Sequence, residues 1–247
     1  MINHEGKSLT TGNNLPRISV IIVTYNAAQH LQNCLNCIYA QQYPAIDIIV
    51  IDGKSTDGTV KILEENTNRI NTWISEKDNG VYDAMNKALK YVKGEWVYFI
   101  GADDELLPEF SQMVAELDDP SAIYYANVFA EGKKRAGYLN KYRFAKFGAY
   151  HQAIIYPKQV FDKYRYDTRY KISADFALTL KLYADKNFYF VYKDYTLANF
   201  NHTGISGTQI DVPFQKDKAW MILKYFGLKI WFRYKVYKFK HRHNPRA

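Results

Sequence analysis

Two adjacent carboxylates, Asp103 and Asp104, stand in the run Phe99-Ile100-Gly101-Ala102-Asp103-Asp104-Glu105, directly after an apolar stretch. Hard oxygen ligands in this position suit Mg2+ or Mn2+ bridging phosphates, because such ions take one or two carboxylates and complete their shell from substrate and water. The same side chains could instead satisfy a turn or cap the helix that starts after Pro108. A second chemistry-bearing stretch is Asp52-Gly53-Lys54-Ser55-Thr56-Asp57-Gly58-Thr59. A carboxylate followed by a tight turn and by hydroxyls at a helix start can accept hydrogen bonds from a base or ribose beside a phosphate pocket, or can merely close the turn. The sequence has neither G-x-G-x-x-G nor a phosphate loop ending in Gly-Lys-Ser/Thr, which argues against an NAD enzyme or a P-loop ATPase.

The elements that must position these residues follow from hydrophobic periodicity. Ile18 to Val23 is a continuous β-branched run, followed by Thr24, Tyr25, Asn26 and a helical pattern from about Ala27 to Gln41. A second apolar run, Ile46 to Ile51, ends at Asp52, and the chain turns through Gly53 to Gly58 into a helix that Ser55, Thr56 or Asp57 could cap. Thr72 to Ser75 reads as a third strand. Met85, Ala88, Leu89 and Val92 then mark a helix, and Trp96 to Ile100 a fourth strand. Strands alternating with helices predict a Rossmann-like α/β fold with a mainly parallel sheet covered on both faces, which binds ligands beyond the carboxyl ends of its strands. At those ends lie Thr24 to Asn26, Asp52, Glu76 with Asp78, and Asp103 with Asp104. Further on, strands are expected at Ile123 to Phe129, Ala153 to Tyr156 and Phe188 to Tyr192, with a helix from Ser173 to Asp185.

The chain has 247 residues, 47% hydrophobic and 23% charged, which fits one folded α/β domain with a tail. Residues 1–16 are polar and read as a flexible lead-in without the apolar core of a secretion signal, so a cytoplasmic location is expected. No uninterrupted apolar run is long enough for a membrane span. Cys34 and Cys37 form a C-x-x-C, but Leu31, Cys34, Leu35 and Ile38 share one helical face and no matching second pair exists; core packing is the expected role. The net charge of +8 raises nucleic acid as a partner, yet from Lys216 onward ten Lys and Arg face one acid, which leaves the rest of the chain near −1. The basic character belongs to the tail, and no nucleic-acid partner is expected.

At this point the sequence resembles the family 2 glycosyltransferases, which have the GT-A fold and use nucleotide-diphospho-sugars. The resemblance rests on Ser19 to Asn26, on Asp52-Gly53 with Ser55, Asp57, Gly58 and Thr59, on Asp78-Asn79-Gly80-Val81-Tyr82-Asp83-Ala84-Met85-Asn86-Lys87, and on Gly94-Glu95 and Phe99 to Asp104. It spans about residues 17 to 206, within a domain expected at 17–212. It implies a metal-dependent, inverting enzyme of bacterial polysaccharide, capsule or lipopolysaccharide synthesis, with Mn2+ or Mg2+ as cofactor, a UDP-sugar as the expected donor and a saccharide or lipid-linked hydroxyl as acceptor. The resemblance assigns the Thr24-Tyr25-Asn26 backbone and Asp52 to the nucleobase and Asp78 to the nucleotide pocket. It gives Asp103 to ribose or metal and Asp104 to the metal and diphosphate. It also makes Asp175 the general base at a helix start in the acceptor half, puts His151 with Gln152 beside the donor pocket, and makes His202 to Ser206 a loop closing over the diphosphate. One departure is that many members have Asp-x-Asp-Asp where this chain has Gly101-Ala102-Asp103-Asp104.

The segment from 213 to 247 interleaves Trp220, Leu223, Ile230, Trp231 and Tyr234 with Lys224, Lys229, Arg233, Lys235, Lys238 and Lys240. Such a basic, amphipathic tail can lie among lipid headgroups as a peripheral membrane contact, or its aromatics can pack on the domain or on a second subunit. A catalytically inactive, nucleotide-sugar-binding scaffold at the membrane is the alternative to an enzyme.

Overall fold

The computed structural model describes residues 15–135, 137–201 and 209–242. The first half alternates as the periodicity predicts: β1 (Ile18–Thr24), α1 (Leu31–Tyr39), β2 (Ile46–Asp52), α2 (Thr59–Glu65), β3 (Thr72–Ser75), α3 (Val81–Ala88) and β4 (Trp96–Gly101). The four strands pair in parallel in the order β3-β2-β1-β4, with Thr24 opposite Asp52, Asp52 opposite Ser75 and Val23 opposite Gly101. This register brings the polar strand ends to one edge. Because the side chains of a strand alternate, Ile21, Ile49 and Phe99 pack beneath α3, while Val20, Ile22, Val50 and Tyr98 pack with Leu31, Cys34 and Leu35 of α1 on the other face. Each large apolar side chain buried in this way contributes about 1.5–3 kcal/mol.

The second half comprises β5 (Glu105–Leu106), α4 (Glu109–Val114), β6 (Ala122–Ala130), β7 (Lys133–Arg135), α5 (Lys141–Phe147), β8 (Ile154–Pro157), α6 (Gln159–Lys163), α7 (Ala174–Leu182) and β9 (Tyr189–Asn199). It extends the sheet as β4-β8-β6-β9-β5, with β7 beside β6. Here the pairing is mixed: β8 runs antiparallel to β4 and β6, β9 parallel to β6, and β5 antiparallel to β9. The contiguous parallel block is therefore the first four strands, and β6 with β9 is a further parallel pair. Only β6 and β7 are joined by a tight hairpin, through Glu131 and Gly132; the other antiparallel neighbours lie far apart in the chain.

Two local expectations change. Helix α1 begins at Leu31 rather than near Ala27: residues 27–30 form a turn in which Ala27 O accepts from His30 N and Leu31 N, and the Ala27 and Ala28 N–H groups bond to Thr59 Oγ1 and Asp57 Oδ2. Helix α2 starts from Gly58 in a left-handed conformation; of the three candidate caps, Asp57 Oδ1 accepts from Thr59 N at 3.0 Å, while Ser55 and Thr56 bond elsewhere. Cys34 is buried as expected, and neither cysteine forms a disulfide.

The C-terminal segment forms α8 (Val212–Phe226) and α9 (Leu228–Lys240), joined at Gly227. Phe214, Met221, Ile222, Phe226, Ile230 and Tyr234 join the core cluster shared with α3 and α7. Of the residues expected to face lipid, Ile230 and Tyr234 therefore point inward, and Trp231 is partly buried against the same cluster. Among the described residues, no helix is long and apolar enough to cross a membrane.

Candidate active site

A cleft of about 760 Å³ opens at the carboxyl end of the parallel strands. Its wall is built from the end of β1, the loop into α3, the end of β4, and the segments around residues 147–152, 171–176 and 200–201. Thr24, Tyr25, Asn26, Asp78, Asp103, Asp104, His151 and Asp175 all line it. Thr24 to Asn26, Asp78, Asp103 and Asp104 thus meet at one site, as the strand-end reading predicts, and His151 and Asp175, which the resemblance nominated, join them there.

Asp52 is the exception. Its side chain is fully buried, absent from the cleft wall, and accepts hydrogen bonds from Ser55 N at 2.9 Å, Ser75 Oγ at 2.6 Å and also Ser55 Oγ. A carboxylate so enclosed braces the loop after β2 rather than meeting a nucleobase. The hydroxyls near it are also engaged: Ser55 Oγ accepts from Asn26 N at 2.7 Å, and Asn26 Oδ1 accepts from Thr56 N at 2.9 Å. These bonds knit the β1 and β2 loops together and hold Asn26 at φ 49°, a left-handed conformation that Asn tolerates better than most residues. Gly53 permits a further close approach. A Cβ there would stand 2.6 Å from Asp78 Oδ2 and 3.2 Å from the Tyr25 ring. Tyr25 remains 66% exposed at the mouth, while Thr24 is buried with its Oγ1 lacking a partner among the described residues. Leaving that buried hydroxyl unpaired costs about 1–3 kcal/mol.

On the opposite wall Asp104 is 2% exposed and fixed by three donors: Gly101 N at 3.1 Å and Gln152 Nε2 at 2.9 Å to Oδ2, and Asn201 N at 2.9 Å to Oδ1. Burial pushes its carboxyl up to about 6, partly offset by the Asn201 and Gln152 bonds and reinforced by the neighbouring charge of Asp103. Asp103 is less buried and has no hydrogen bond among the described residues. Neither aspartate has an ion-pair partner there. At Gly101 an added Cβ would lie 2.8 Å from Asp104 Oδ2 and 2.9 Å from Asp103 Oδ1. Both carboxylates fold back over the strand end because that position is bare.

No group of three or more His, Cys, Asp or Glu side chains is gathered to hold an ion among the described residues. The pair nevertheless fits a divalent cation of the kind that takes one or two carboxylates and draws its other ligands from phosphate and water. Asp103 offers free oxygens, and Asp104 is a prepositioned carboxylate whose charge no cation of the described chain offsets.

His151 stacks on Phe99 with ring centroids 5.2 Å apart, and its Nε2 lies 3.0 Å from Tyr166 Oη. Burial lowers its pKa, an effect the Asp175 charge partly opposes, so the ring is neutral near pH 7. Asp175 lies in the first turn of α7, half-buried; Tyr82 Oη donates to its Oδ1 at 2.6 Å, and Oδ2 has no hydrogen bond among the described residues. His202 and Ser206 lie outside the described residues.

Two contributors escaped the sequence reading of individual roles. The resemblance places Gln152 with His151 beside the donor pocket without a role of its own, yet its side-chain amide donates to Asp104 while its backbone carbonyl accepts from Tyr98 Oη at 2.7 Å. Tyr82 was visible only as part of a longer motif on an amphipathic helix, where an aromatic on the buried face reads as core.

The chain matches the model of the family described as "Glycosyl transferase family 2" over residues 19–188. It is 30% identical over 215 residues, covering 81% of this chain and 83% of its relative, to a PGL/p-HBAD biosynthesis glycosyltransferase of Mycobacterium bovis (strain BCG / Pasteur 1173P2). The fold is similar to S. aureus TarS 1-349 in complex with UDP-GlcNAc (TM-score 0.70, 20% identity, 92% of this chain and 74% of that one). It is also similar to the mannosyltransferase PcManGT of Pyrobaculum calidifontis in complex with GDP-Man and Mn2+ (TM-score 0.61, 19% identity, 87% and 64%). Family match, relative and fold agree with the cleft geometry: the chain belongs to glycosyl transferase family 2 and has a GT-A-like α/β architecture.

Proposed function

We propose that this chain is an inverting, metal-dependent glycosyltransferase that moves a hexosyl or N-acetylhexosaminyl group from a UDP-sugar to a hydroxyl of a saccharide or lipid-linked acceptor in cell-surface polysaccharide synthesis. The observation that carries this reading is the meeting of the Asp103 and Asp104 pair with Asp175 in one cleft of a family 2 chain. The two kinds of carboxylate suit different tasks. Asp103 and Asp104 would hold Mn2+ or Mg2+, which when bound neutralises charge on the departing diphosphate. Asp175, with one oxygen tied down and the other free, would take the proton of the acceptor hydroxyl as that oxygen attacks the anomeric carbon from the face opposite the diphosphate. Neutral His151 and half-buried Asp78 would line the donor pocket without adding a cation, and Thr24 and Tyr25 would contact the nucleobase.

The reading includes a peripheral membrane contact on the cytoplasmic face. Supporting it, α9 turns Leu228, Phe232 and Phe239 outward at 68%, 62% and 69% exposure, opposite its buried Ile230 and Tyr234. Lys229, Arg233, Lys235 and Lys240 flank that stripe. An exposed apolar stripe between cations suits an anionic lipid surface, at about 1 kcal/mol for each cation near the membrane.

The test is a panel of UDP- and GDP-sugars with Mn2+ or Mg2+, reading release of nucleoside diphosphate with and without saccharide acceptors. Asp104→Asn is expected to abolish metal-stimulated turnover. Asp175→Asn is expected to keep donor binding and to lose transfer by at least about 100-fold. Wild-type transfer rates in Asp175→Asn would remove the base, and no turnover of any nucleotide-sugar would leave the scaffold reading in its place.

A further inference from the structure

We infer that Tyr82 is a positioning residue for the transfer step: it aims Asp175 and gives the surrounding site a place for one hydrogen bond when the base changes charge. The inference rests on the proposed role of Asp175 as the proton acceptor.

Three observations carry it. Tyr82, on α3, lies 93 positions before Asp175, so their contact is a product of the tertiary fold. Its hydroxyl stands between two acceptors, 2.6 Å from Asp175 Oδ1 and 2.8 Å from the backbone oxygen of Ile172. Its ring is 7% exposed and packs on Tyr166 at 5.3 Å, and Tyr166 is itself anchored to α3 by the Asn86 side chain, which donates to Tyr166 O at 2.9 Å and accepts from Tyr166 N at 3.0 Å. A hydroxyl locked this firmly fixes the carboxylate plane and leaves Oδ2 to the cleft.

The phenol has one proton for two acceptors. While Asp175 is ionised, the charge-assisted bond to Oδ1 is the stronger. In the transfer, the acceptor O–H bond breaks and its proton goes to Oδ2; the new oxygen–carbon bond forms, and the old anomeric carbon–oxygen bond breaks with its electron pair leaving on the diphosphate. Oδ1 of the neutral acid then accepts more weakly, and the Tyr82 proton can turn to Ile172 O, so no buried donor is stranded. Tyr82 keeps its own proton throughout.

A hydrogen bond to the charged form of an acid favours that form, so deleting the phenol oxygen should withdraw support from the ionised base. Other titratable groups face Asp175 or share its cleft. His151, Tyr156 and Tyr166 sense its charge, while Lys171, Asp78, Asp103 and Asp104 line the same walls. Burial raises both tyrosines well above their usual range, so neither charges in the window tested; burial lowers His151 toward the acid limb, and repeating the profile on a His151→Gln background separates its titration from that of the base. Titration at the aspartate pair is distinguished by repeating the profile at ten times the Mn2+ concentration, which displaces a limb set by metal binding and leaves one set by Asp175 in place.

The experiment is the kcat–pH profile of Tyr82→Phe in the full chain at saturating donor and metal. Expected are a roughly ten-fold loss of kcat at low pH, an acid limb moved up by about one pH unit, and an unchanged donor KM. On an Asp175→Asn background the same substitution should cost nothing further. Incorporating 3,5-difluorotyrosine at position 82, a stronger donor of the same shape, should move the limb the other way and provides the test if the phenylalanine variant folds poorly. An unmoved limb in both variants, or an equal loss with and without Asp175, overturns the inference. Wild-type transfer by Asp175→Asn alone would instead refute the base assignment on which it rests.

Discussion

Lys218 offers the sharpest test of how the C-terminal helices are attached. It lies on α8, 5% exposed, with no hydrogen bond or ion pair among the described residues. Its ammonium faces the rings of Phe176 at 4.9 Å, Tyr234 at 5.5 Å and Phe214 at 5.9 Å. Burial pushes its pKa down to about 8, and the charges of Lys238 and Lys146 act in the same direction. An unfolded lysine titrates near 10.4, so between these values the unfolded chain binds a proton that the folded chain does not. The destabilising contribution is complete below about pH 8 and fades as the pH rises toward the unfolded value. At about 1.4 kcal/mol per pH unit it amounts to about 3 kcal/mol at neutral pH. Cation–π attraction, worth about 0.5–2 kcal/mol, offsets part of it. Lys218→Met keeps the unbranched stem and removes the charge. It should therefore stabilise the protein by about 1–3 kcal/mol at pH 7 and by much less at pH 10. Urea unfolding of both proteins at the two pH values reads this as a midpoint difference that shrinks with alkalinity at constant m. A variant that is less stable than the parent, by the same amount at both pH values, would show that the aromatic contacts outweigh desolvation and would refute the reasoning.

Other consequences are as direct. Gln152→Leu deletes one of the three bonds that fix Asp104 and should raise the Mn2+ concentration for half-maximal turnover by about 10- to 100-fold, read from metal titrations of activity. Gly53→Ala puts a methyl 2.6 Å from Asp78 Oδ2, and should raise donor KM several-fold while leaving circular-dichroism spectra unchanged. Phe232→Ser with Phe239→Ser should reduce sedimentation with vesicles of anionic lipid by at least about ten-fold while leaving turnover of a soluble acceptor intact. High salt should weaken the parent's vesicle binding as well.

Much of the fold was legible because its first half obeys simple periodicities. The β-branched runs at Ile18 to Val23 and Ile46 to Ile51 are buried on both faces, and a strand of that kind must be central and parallel when helices separate it from its neighbours. The second half is less readable for a physical reason. β8 is four residues long, and β9 carries exposed and half-buried positions as well as buried ones, so neither shows a clean period, and the direction of pairing depends on connections whose geometry composition does not encode. The tail shows the same limit: α9 is apolar on two opposite sides, and only docking decides that Ile230 and Tyr234 face inward while Phe232 and Phe239 face out.

For the site, residue types and strand ends were enough to nominate Thr24 to Asn26, Asp78, Asp103 and Asp104, since a parallel sheet delivers its carboxyl ends to one edge, while His151 and Asp175 were reached only through the family resemblance. Whether a nominated carboxylate faces ligand or protein was beyond the sequence. Asp52 and Asp104 both follow apolar strands, yet Ser55 and Ser75 close around the first, while the second, though nearly as buried, forms part of the cleft wall. Partners such as Gln152 for Asp104 and Tyr82 for Asp175 come from 48 and 93 positions away. Chain chemistry therefore determined which groups were available and which edge they reached. Tertiary packing decided which oxygens were already hydrogen-bonded and which were left for a substrate, because a hydrogen bond requires its donor within about 3 Å and only the folded chain brings distant donors that close.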